Sequence, residues 1–406
     1  MILSLYLPKA SVISGRKIEL PYSKSVLNRY LILVALAGQK IALQGDLLSD
    51  DTTLLLELLS TDDRKEYYCH NAGTVVRFLT AFLSLKPGVQ VLDGSSRMRQ
   101  RPIGPLVDAL RSIGADITYV EEEGFLPLRI GNPPKEANRH IIRMDAGTSS
   151  QFYTALLLVA PHWPGGIRLE VPEDMVSVSY LEMTLKVLKQ SGIRYTRTGQ
   201  IVQVPRQSIG QVTLPAVRDW SSAAFFFVLL ALSEGGNMFF PGLQMDHIQG
   251  DQYIVEVVRS WGISTRQTGE GLWIEKTHLS LPAKCTIDLK SVPDLMPALA
   301  VLAAGTGVEV TFTGIGHLRY KESDRIEAMS TELAKGGVRF DIGEEQLTMK
   351  GTFDGGGTAV FQTWKDHRVA MSLACLCLKE SIRIEHSEVV SKSFPGFWSQ
   401  MQGVLE

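Results

Sequence analysis

One pattern of polar and apolar positions recurs six times along the chain. Each copy begins with a short polar segment rich in Ser, Asp, Asn or Gly and continues into an apolar stretch of about three helical turns. The copies are SKSVLNRYLILVALAG from Ser23, NAGTVVRFLTAFLSL from Asn71, DAGTSSQFYTALLLVA from Asp145, DWSSAAFFFVLLAL from Asp219, PDLMPALAVLAAG from Pro293 and KDHRVAMSLACLCL from Lys365. The pattern predicts six buried helices that begin near Lys24, Asn71, Thr148, Trp220, Asp294 and Asp366.

The spacing of these six helix starts indicates a repeated unit. Four of the five intervals are 72 to 77 residues long, and the first is 47. Short β-rich pieces such as GVQVLDG, GIRLEVP and GVEVTFTG lie between the helices, so each unit is predicted to combine a helix with several short strands. The short first interval predicts that a strand and a turn are missing between Ser60 and Asn71.

Six units divide into three plus three, which predicts two similar α/β domains. The segment VPRQSIGQVTLPAVRDW, between the third and fourth copies, carries two Pro and one Gly and has little helical periodicity. We therefore expect the chain to cross from one domain to the other near the end of this segment.

Composition narrows the class of protein. The chain has 406 residues, of which 45% are hydrophobic and 21% charged, and its net charge is −2. These values predict globular domains with large cores and argue against disorder and against a nucleic-acid-binding surface. The longest wholly apolar run, from Ala223 to Leu232, is too short for a membrane span. The N-terminal residues lack the basic region and cleavage site of a signal peptide.

The four cysteines predict a reducing compartment. Cys69, Cys285, Cys375 and Cys377 form neither a CxxC pair nor a Cys/His metal-binding spacing. We expect them to be buried packing residues of a cytoplasmic protein.

The polar segments allow two interpretations. Ser, Asp, Asn and Gly are good N-cap residues, and six such caps would stabilise the helices by about 1 kcal/mol each. A helix N-terminus also attracts anions, more so when a cation stands beside it. Lys24, Arg29, Arg77 and Arg368 lie at or just inside the helix starts, and this recurrence favours anion binding.

Several short motifs carry candidate chemistry. Lys24 and Ser25 precede Arg29, and Ser25 and Arg29 share one helix face, which suits a phosphate or carboxylate. Arg97, Arg99 and Arg101 would share one face if their segment is extended, either around an anion or on a solvated edge strand.

Three further candidates lie in the C-terminal half. The segment RYKESDRIEAM carries Lys321, Glu322, Asp324 and Arg325, either as ion pairs of an ordinary charged helix or as a catalytic Glu322 held among cations. An N-cap role suffices to explain Asp294. Lys392 is predicted to lie on a loop before a Pro.

The sequence lacks the motifs of several other classes of enzyme. The sequence contains no GxSxG, HExxH, GxxxxGK[ST] or GxGxxG motif, and its eight His show no metal-binding spacing.

Taken together and in order, the motifs resemble the 5-enolpyruvylshikimate-3-phosphate synthase family, enolpyruvyl transferases of aromatic amino-acid biosynthesis. The resemblance runs from Leu20 to Pro395. The matching segments are LPYSKSVLNR, NAGTVVRFLT, RMRQRPIGPLVDALRSIGA, SSQFYTALL, SVSYLEMTL, MDHIQGD, VPD, RYKESDRIEAMSTEL, DHRVAM and SKSFPGFW.

The resemblance implies an α/β fold of two similar domains. Each would contain three repeated βαβαββ units in an inside-out α/β barrel, with the active site in the cleft between the domains. The N-terminal domain would run over residues 18–218, and residues 1–17 and 219–406 would form the other.

The implied reaction moves the carboxyvinyl group of phosphoenolpyruvate to the 5-hydroxyl of shikimate 3-phosphate and releases phosphate through a tetrahedral intermediate. It requires no metal or organic cofactor. The expected partners are the two small substrates, not nucleic acid or a membrane, and we expect a monomer.

The resemblance also implies roles for particular residues. Asp294 would take the proton of the 5-hydroxyl, Glu322 would protonate and later deprotonate the methylene carbon, and Lys24 would be a further proton donor. The residues expected to hold shikimate 3-phosphate are Lys24, Ser25, Arg29, Ser149, Ser150, Gln151, Ser177, Tyr180, Asp294 and Lys321. Those expected to hold phosphoenolpyruvate are Lys24, Gly73, Arg101, Gln151, Arg325, Arg368 and Lys392. Gly73 is expected because a Cβ there would occupy the volume of the ligand.

Some positions depart from the family pattern. The family usually has Gly where Tyr22 stands and Pro where Phe78 stands, and it often has Asn where His317 stands. Tyr22, Phe78 and the short first interval motivate one alternative, a binding paralogue without turnover. Two others stay open: an enzyme similar to UDP-N-acetylglucosamine enolpyruvyl transferases, and a phosphate-binding scaffold with unrelated ligands, which the joint presence of Asp294 and Glu322 disfavours. The UDP-N-acetylglucosamine enzymes rely on a Cys-bearing loop after an Arg, and RMRQRPIG has no Cys.

Overall fold

The chain folds into two compact units. A computed structural model describes residues 3–41, 43, 45–61, 63–136, 140–145, 147–277 and 281–406. Within these residues, the C-terminal unit is drawn from Met1–Ser23, Gly45–Asp50 and Ala216–Glu406, and the N-terminal unit from Lys24–Gln44 and Asp51–Pro215. The domain boundaries expected from the sequence, 18–218 against 1–17 with 219–406, stay a prediction.

The helices of the described residues are short to medium in length. The α-helices are α1 (Lys24–Leu36), α2 (Asp50–Leu59), α3 (Gly73–Leu83), α4 (Ser96–Arg99), α5 (Gly104–Ser112), α6 (Ser150–Val159), α7 (Val178–Gln190), α8 (Trp220–Leu232), α9 (Ile254–Arg259), α10 (Met296–Thr306), α11 (Arg325–Ala334), α12 (His367–Ala374) and α13 (Phe397–Gly403). The 3-10 helices are Ala160–His162, Gly250–Tyr253, Pro293–Leu295, Gly316–Tyr320, Cys375–Leu378 and Ser387–Lys392.

The strands of the described residues are all short. They are β1 (Ser4–Leu7), β2 (Arg16–Lys17), β3 (Glu66–Tyr68), β4 (Gln90–Asp93), β5 (Ile117–Tyr119), β6 (Leu128–Ile130), β7 (Ile141–Ile142), β8 (Ile167–Glu170), β9 (Thr196–Thr198), β10 (Ile201–Val204), β11 (Asn237–Pro241), β12 (Ile263–Gln267), β13 (Gly271–Lys276), β14 (Lys284–Asp288), β15 (Glu309–Thr313), β16 (Arg339–Ile342), β17 (Gln346–Lys350), β18 (Ala359–Gln362) and β19 (Ile382–Glu385).

The six helices predicted from the sequence are confirmed. They are α1, α3, α6, α8, α10 and α12, and each begins within two residues of its predicted start. Their apolar stretches form the cores of the units. Every residue of α8 is buried, as expected for a helix that is apolar on all sides. Other elements enclose the middle of α8, and its polar residues lie at its N-terminal end. Among the described residues, no helix combines the length and apolar character that a membrane span needs.

Four sheets share one connection pattern. Their strand orders are β3-β4-β6-β5, β7-β8-β10-β9, β12-β13-β11-β2 and β14-β15-β17-β16. In each, the first two strands along the chain are parallel and one of the six helices lies between them, while the other pairs are antiparallel. A second helix precedes the last two strands, which gives the predicted order βαβαββ. In the β2 sheet, the whole N-terminal unit is inserted in sequence between β2 and α8.

The first and last repeats are incomplete. In the last, α12 connects the parallel strands β18 and β19, and β1 from the start of the chain completes the sheet. The first repeat consists of α1 and α2, without a strand in the described part of residues 24–65. The prediction placed a lost strand and turn between Ser60 and Asn71. That stretch instead contains β3, which begins the second repeat, so the lost strands are those of the first repeat itself.

Candidate active site

Six predicted site residues form one ion-pair network in the C-terminal unit. They come from five places in its fold: the 3-10 helix Pro293–Leu295, the turn before α11, the first turn of α11, the first turn of α12, and the end of the 3-10 helix Ser387–Lys392. The six residues are Asp294, Lys321, Glu322, Arg325, Arg368 and Lys392. The network lies where the polar starts of α10, α11 and α12 approach one another.

Arg325, the first residue of α11, is at the centre of this network. Its side chain is 1% exposed, and its three nitrogens contact three carboxylates. Nη1 lies 2.7 Å from Oδ1 of Asp294, Nη2 lies 3.0 Å from Oε2 of Glu322, and Nε lies 2.8 Å from Oδ2 of Asp366. Burial lowers the pKa of Arg325, but the three carboxylates raise it by more than burial lowers it. The pKa is therefore above its usual value. Arg325 is therefore a permanent positive charge whose orientation is fixed.

Asp366 is part of the network although the sequence analysis gave it no site role. It is fully buried, and its Oδ2 also accepts a hydrogen bond from the Ser323 hydroxyl at 3.1 Å. Its Oδ1 accepts the backbone N–H of Arg368 at 2.9 Å, so it is the N-cap of α12. One carboxylate thus fixes both Arg325 and the helix that carries Arg368. The sequence feature that could have indicated this role is an Asp at a predicted helix start, two residues before an Arg.

Asp294 contacts three cations. Its carboxylate lies 2.7 Å from Arg325 Nη1, 2.9 Å from Arg368 Nη2 and 3.6 Å from Lys321 Nζ. Burial raises the pKa of Asp294, but Arg368, Lys321 and Arg325 together hold it well below its usual value. The N-cap interpretation of Asp294 was wrong. Residues 293–295 form a separate 3-10 turn, so α10 begins at Met296, with Leu295 as its N-cap and no capping bond from a side chain.

Glu322 lies between two cations, with Oε2 3.0 Å from Arg325 Nη2 and Oε1 3.8 Å from Lys392 Nζ. The interpretation of RYKESDRIEAM as an ordinary charged helix was wrong. Asp324 caps α11 by accepting the N–H groups of Ile326 and Glu327, so the helix starts only at Arg325 and both Lys321 and Glu322 precede it. Lys321 instead contacts Asp294, and burial lowers its pKa while Asp294 opposes that shift.

Two further positions near the network differ from expectation. Lys392 ends a 3-10 helix and does not lie on the predicted loop. His317, where the family often has Asn, is largely buried; burial and the neighbouring Lys321 lower its pKa to about 3, so it is neutral at physiological pH. In the part of the chain that is described, no three His, Cys, Asp or Glu side chains cluster as metal ligands would.

In the N-terminal unit, the start of α1 brings together Lys24, Ser25 and Arg29. Lys24 Nζ forms an ion pair with Asp51 Oδ2 at 2.9 Å. The Arg29 guanidinium donates to the carbonyls of Ser25 and Tyr180 and to the hydroxyl of Thr184. Burial lowers the pKa of Arg29 to about 9, although Tyr180 opposes the shift. Most of the hydrogen-bonding capacity of Arg29 is therefore already used within the unit.

Two of the positions that depart from the family pattern, Phe78 and Tyr22, pack against arginines. Phe78 is buried, and its ring centre lies 5.7 Å from the Arg29 guanidinium. The ring centre of Tyr22 lies 5.0 Å from the guanidinium of Arg218 in the C-terminal unit. Each aromatic ring thus presents its face to a cation.

Gly73, the first residue of α3, lies against two arginines. A Cβ at this position would lie 2.5 Å from Arg77 Nη1 and 2.9 Å from Arg101 Nη1. The structure therefore gives a reason for this glycine that differs from the predicted one: the guanidinium groups occupy the space of a Cβ. Arg101 is buried, and its Nε has no hydrogen-bond partner among the described residues. This buried positive charge suits an anion.

The extended segment predicted for Arg97, Arg99 and Arg101 is wrong. Ser95 accepts the N–H of Met98 and caps the one-turn helix α4 (Ser96–Arg99). The three arginines therefore do not share a strand face. Arg99 forms ion pairs with Asp93 and Glu121, whereas Arg101 turns inward beside Gly73.

The remaining predicted residues lie at the starts of α6 and α7. Ser149 caps α6, and Ser150 is its buried first residue. Gln151 donates to the Thr74 hydroxyl at 3.3 Å, and its buried Oε1 has no hydrogen-bond partner among the described residues. Ser177, with a left-handed φ of 58°, precedes α7, which contains Tyr180. Gln151 thus connects the start of α6 to the residue after Gly73.

Comparison with known proteins agrees with this geometry. The profile of the family described as EPSP synthase (3-phosphoshikimate 1-carboxyvinyltransferase) matches residues 60–401. The chain is 36% identical to the 3-phosphoshikimate 1-carboxyvinyltransferase of Bacteroides fragilis (strain YCH46), over 95% of this chain and 94% of the relative. It is 32% identical to that of Sulfurovum sp. (strain NBC37-1), over 96% of both chains.

A solved structure confirms the predicted fold class. EPSP synthase from Acinetobacter baumannii superimposes with a TM-score of 0.73 over 100% of this chain and 99% of that chain, at 21% identity. The fold and the near full-length sequence matches lead to the same conclusion: the chain belongs to the EPSP synthase (3-phosphoshikimate 1-carboxyvinyltransferase) family.

Proposed function

We propose that this protein transfers the carboxyvinyl group of phosphoenolpyruvate to the 5-hydroxyl of shikimate 3-phosphate and releases phosphate through a tetrahedral intermediate, as a step of aromatic amino-acid biosynthesis. The observation that carries the proposal is the contact of Asp294 and Glu322 with the same buried Arg325. The reaction needs two proton-transferring groups close together. It also needs cations, because each substrate brings a phosphate and a carboxylate.

In the proposed mechanism, Asp294 takes the proton of the attacking 5-hydroxyl. Its low pKa keeps it ionised before the substrates bind. When the anionic substrates bind Arg368, Arg325 and Lys321, these cations are partly neutralised and stabilise the Asp294 carboxylate less. The pKa of Asp294 then rises, which makes the carboxylate a better base at the moment of attack.

Glu322 is the proposed proton carrier for the methylene carbon. It protonates that carbon as the new C–O bond forms and removes a proton from the resulting methyl group as phosphate leaves. Arg325 and Lys392 lie on either side of its carboxyl group and would also balance the charge of the phosphate and carboxylate of phosphoenolpyruvate. Lys24, whose Nζ contacts Asp51, is proposed as a donor to the bridging oxygen.

The proposed binding residues keep the assignments of the sequence analysis. Shikimate 3-phosphate is bound by Lys24, Ser25, Arg29, Ser149, Ser150, Gln151, Ser177, Tyr180, Asp294 and Lys321. Phosphoenolpyruvate is bound by Lys24, Gly73, Arg101, Gln151, Arg325, Arg368 and Lys392. The buried, unpartnered Gln151 Oε1 and Arg101 Nε support the inclusion of these two residues, because buried polar atoms normally have a hydrogen-bond partner.

We also propose that the protein is a cytoplasmic monomer that acts on these two small substrates and not on nucleic acid or at a membrane. The four cysteines, all within the described residues, are free thiols, which supports a reducing compartment. Light scattering coupled to gel filtration tests the monomer, and a mass near twice 44.8 kDa would refute it.

The proposed reaction is tested by mixing the protein with both substrates and following phosphate release. We expect release only when both are present, together with a product whose mass equals shikimate 3-phosphate plus the carboxyvinyl group. Release with UDP-N-acetylglucosamine in place of shikimate 3-phosphate would favour the alternative enzyme. Binding of either ligand without any release would favour a binding paralogue.

Gly73→Ala is expected to weaken phosphoenolpyruvate binding selectively. The new methyl group would displace the guanidinium groups of Arg77 and Arg101, so we expect KM for phosphoenolpyruvate to rise by about 10- to 100-fold. Steady-state kinetics with each substrate varied in turn measures this. Gly210→Ala is the matched control, because a Cβ there meets no atom within 4 Å. An equal rise in both KM values would contradict the prediction.

A further inference from the structure

A buried serine–carboxylate pair lies directly behind Arg368. Ser221 is the second residue of α8, and Asp251 belongs to the 3-10 helix Gly250–Tyr253. The Ser221 hydroxyl donates a short hydrogen bond to Asp251 Oδ2, and Arg368 Nη2 approaches Ser221 Oγ at 3.4 Å. The same Arg368 nitrogen lies 2.9 Å from Asp294 Oδ2. Ser221, and Asp251 through it, are therefore connected to the ion-pair network by Arg368.

The direction of these hydrogen bonds follows from simple counting. A serine hydroxyl has one proton to donate and lone pairs to accept. The Asp251 carboxylate accepts the hydrogen bond from the Ser221 hydroxyl. The lone pairs of Ser221 Oγ therefore face Arg368, whose guanidinium can only donate. Burial raises the pKa of Asp251, and Arg368 and the hydrogen bond from Ser221 oppose that shift.

The surrounding structure holds the pair in place. Gln249 donates to Asp219 Oδ1 at 2.8 Å and accepts the N–H of Trp220 at 3.0 Å. Asp219 Oδ2 accepts the N–H of Ser222 at 2.9 Å and caps α8. The start of α8 is thus fixed to the segment that carries Asp251. Asp251 itself is 2% exposed, and its Oδ1 has no hydrogen-bond partner among the described residues. A buried acceptor left half-satisfied costs stability, which calls for a reason other than folding.

We propose that Asp251, acting through Ser221, is a positioning residue that orients the Arg368 guanidinium toward the anionic groups of phosphoenolpyruvate. The inference rests on the proposed function, because it takes Arg368 as a ligand of phosphoenolpyruvate. Without the pair, Arg368 keeps its charge and its contacts with the Asp294 carboxylate and carbonyl but loses Ser221 Oγ as an acceptor that helps to fix its orientation. Binding of phosphoenolpyruvate then suffers, whereas binding of shikimate 3-phosphate does not.

The test compares Ser221→Ala with Ser221→Thr, Asp251→Asn and the double variant Ser221→Ala/Asp251→Asn. We expect Ser221→Ala to raise KM for phosphoenolpyruvate by about tenfold, with kcat and KM for shikimate 3-phosphate within about twofold of the parent protein. Ser221→Thr retains the hydroxyl and is expected to restore most of the affinity. Under the proposal Asp251 acts on Arg368 through Ser221, so the double variant should be no worse than Ser221→Ala alone. Ser233→Ala, at the other end of α8, is the matched control.

The outcomes separate this inference from the proposed function. Phosphate release by the parent protein tests the proposed function. Calorimetric titration with phosphoenolpyruvate and with inorganic phosphate tests the inference whether or not turnover occurs. An unchanged affinity of folded Ser221→Ala for both ligands would overturn it. An equal loss of affinity for shikimate 3-phosphate would also overturn it. So would a double variant whose fold-change in KM for phosphoenolpyruvate is the product of the fold-changes of the two single variants. Thermal unfolding verifies that each variant is folded.

Discussion

Asparagine in place of Asp294 is expected to lower kcat by about 10²- to 10⁴-fold, the usual contribution of a positioned general base. The variant keeps the size of the side chain and removes only its charge. Arg368, Arg325 and Lys321, which contact Asp294, then lose a shared anion. We therefore expect phosphoenolpyruvate and inorganic phosphate to bind at least as tightly as they do to the parent protein, because anionic ligands replace the missing charge.

Rapid-quench kinetics and calorimetric titration measure these two effects separately. Asp288→Asn is the control, because that carboxylate is exposed and accepts the backbone N–H of Lys290. A turnover rate near that of the parent protein would show that Asp294 is not the base, even for a protein of this family. A large loss of phosphate affinity would show instead that Asp294 mainly organises the cations.

The replacement Arg325→Met is expected to have the largest effect on stability. It removes a side chain that contacts Asp294, Glu322 and Asp366 together and is 1% exposed. Removing one partner of a buried ion pair typically costs about 3–5 kcal/mol. We expect the urea midpoint, followed by tryptophan fluorescence at pH 7.5, to fall accordingly. Turnover should be lost as well.

Three comparisons test whether this loss of stability is due to charge. Arg325→Lys keeps a positive charge but cannot reach three carboxylates, so an intermediate midpoint is expected. Adding Asp366→Asn to Arg325→Met removes one of the uncompensated charges and should recover part of the lost stability. Lowering the pH should also reduce the defect, because protonated carboxyl groups no longer repel one another. A defect that is the same at pH 5.5 and pH 8 would point to a cavity instead.

The helices were predictable because their signal is local. A polar start followed by a long apolar run fixes both where a helix begins and that its middle is buried. The same local reasoning gave wrong predictions where a single cap or turn decides where a helix begins. The Ser95 cap turns RMRQ into a helical turn, and the Pro293 turn moves the start of α10 past Asp294. Such choices depend on a few hydrogen bonds that no periodicity reveals.

The partners of the site residues were not predictable from the sequence alone. Arg325 contacts Asp366, and Arg368 contacts Ser221, across 41 and 147 residues of chain. Nothing in a local segment specifies pairings over such distances. The residue roles proposed for this protein therefore came from the ordered resemblance to a family. What the structure adds is the set of supporting residues, such as Asp366, Ser221 and Asp251, that hold the charged side chains in position.

The pairing of the first strand with the last has a consequence for how the protein is made. Strand β1 (Ser4–Leu7) pairs with β19 (Ile382–Glu385), and β2 (Arg16–Lys17) pairs with β11 (Asn237–Pro241). On the ribosome, the N-terminal unit is complete once residue 215 has emerged, and it can fold while synthesis continues. The opening strands, although made first, must wait for partners made much later. The C-terminal unit therefore closes the sheet of β1 and β19 only after residue 385 has been made.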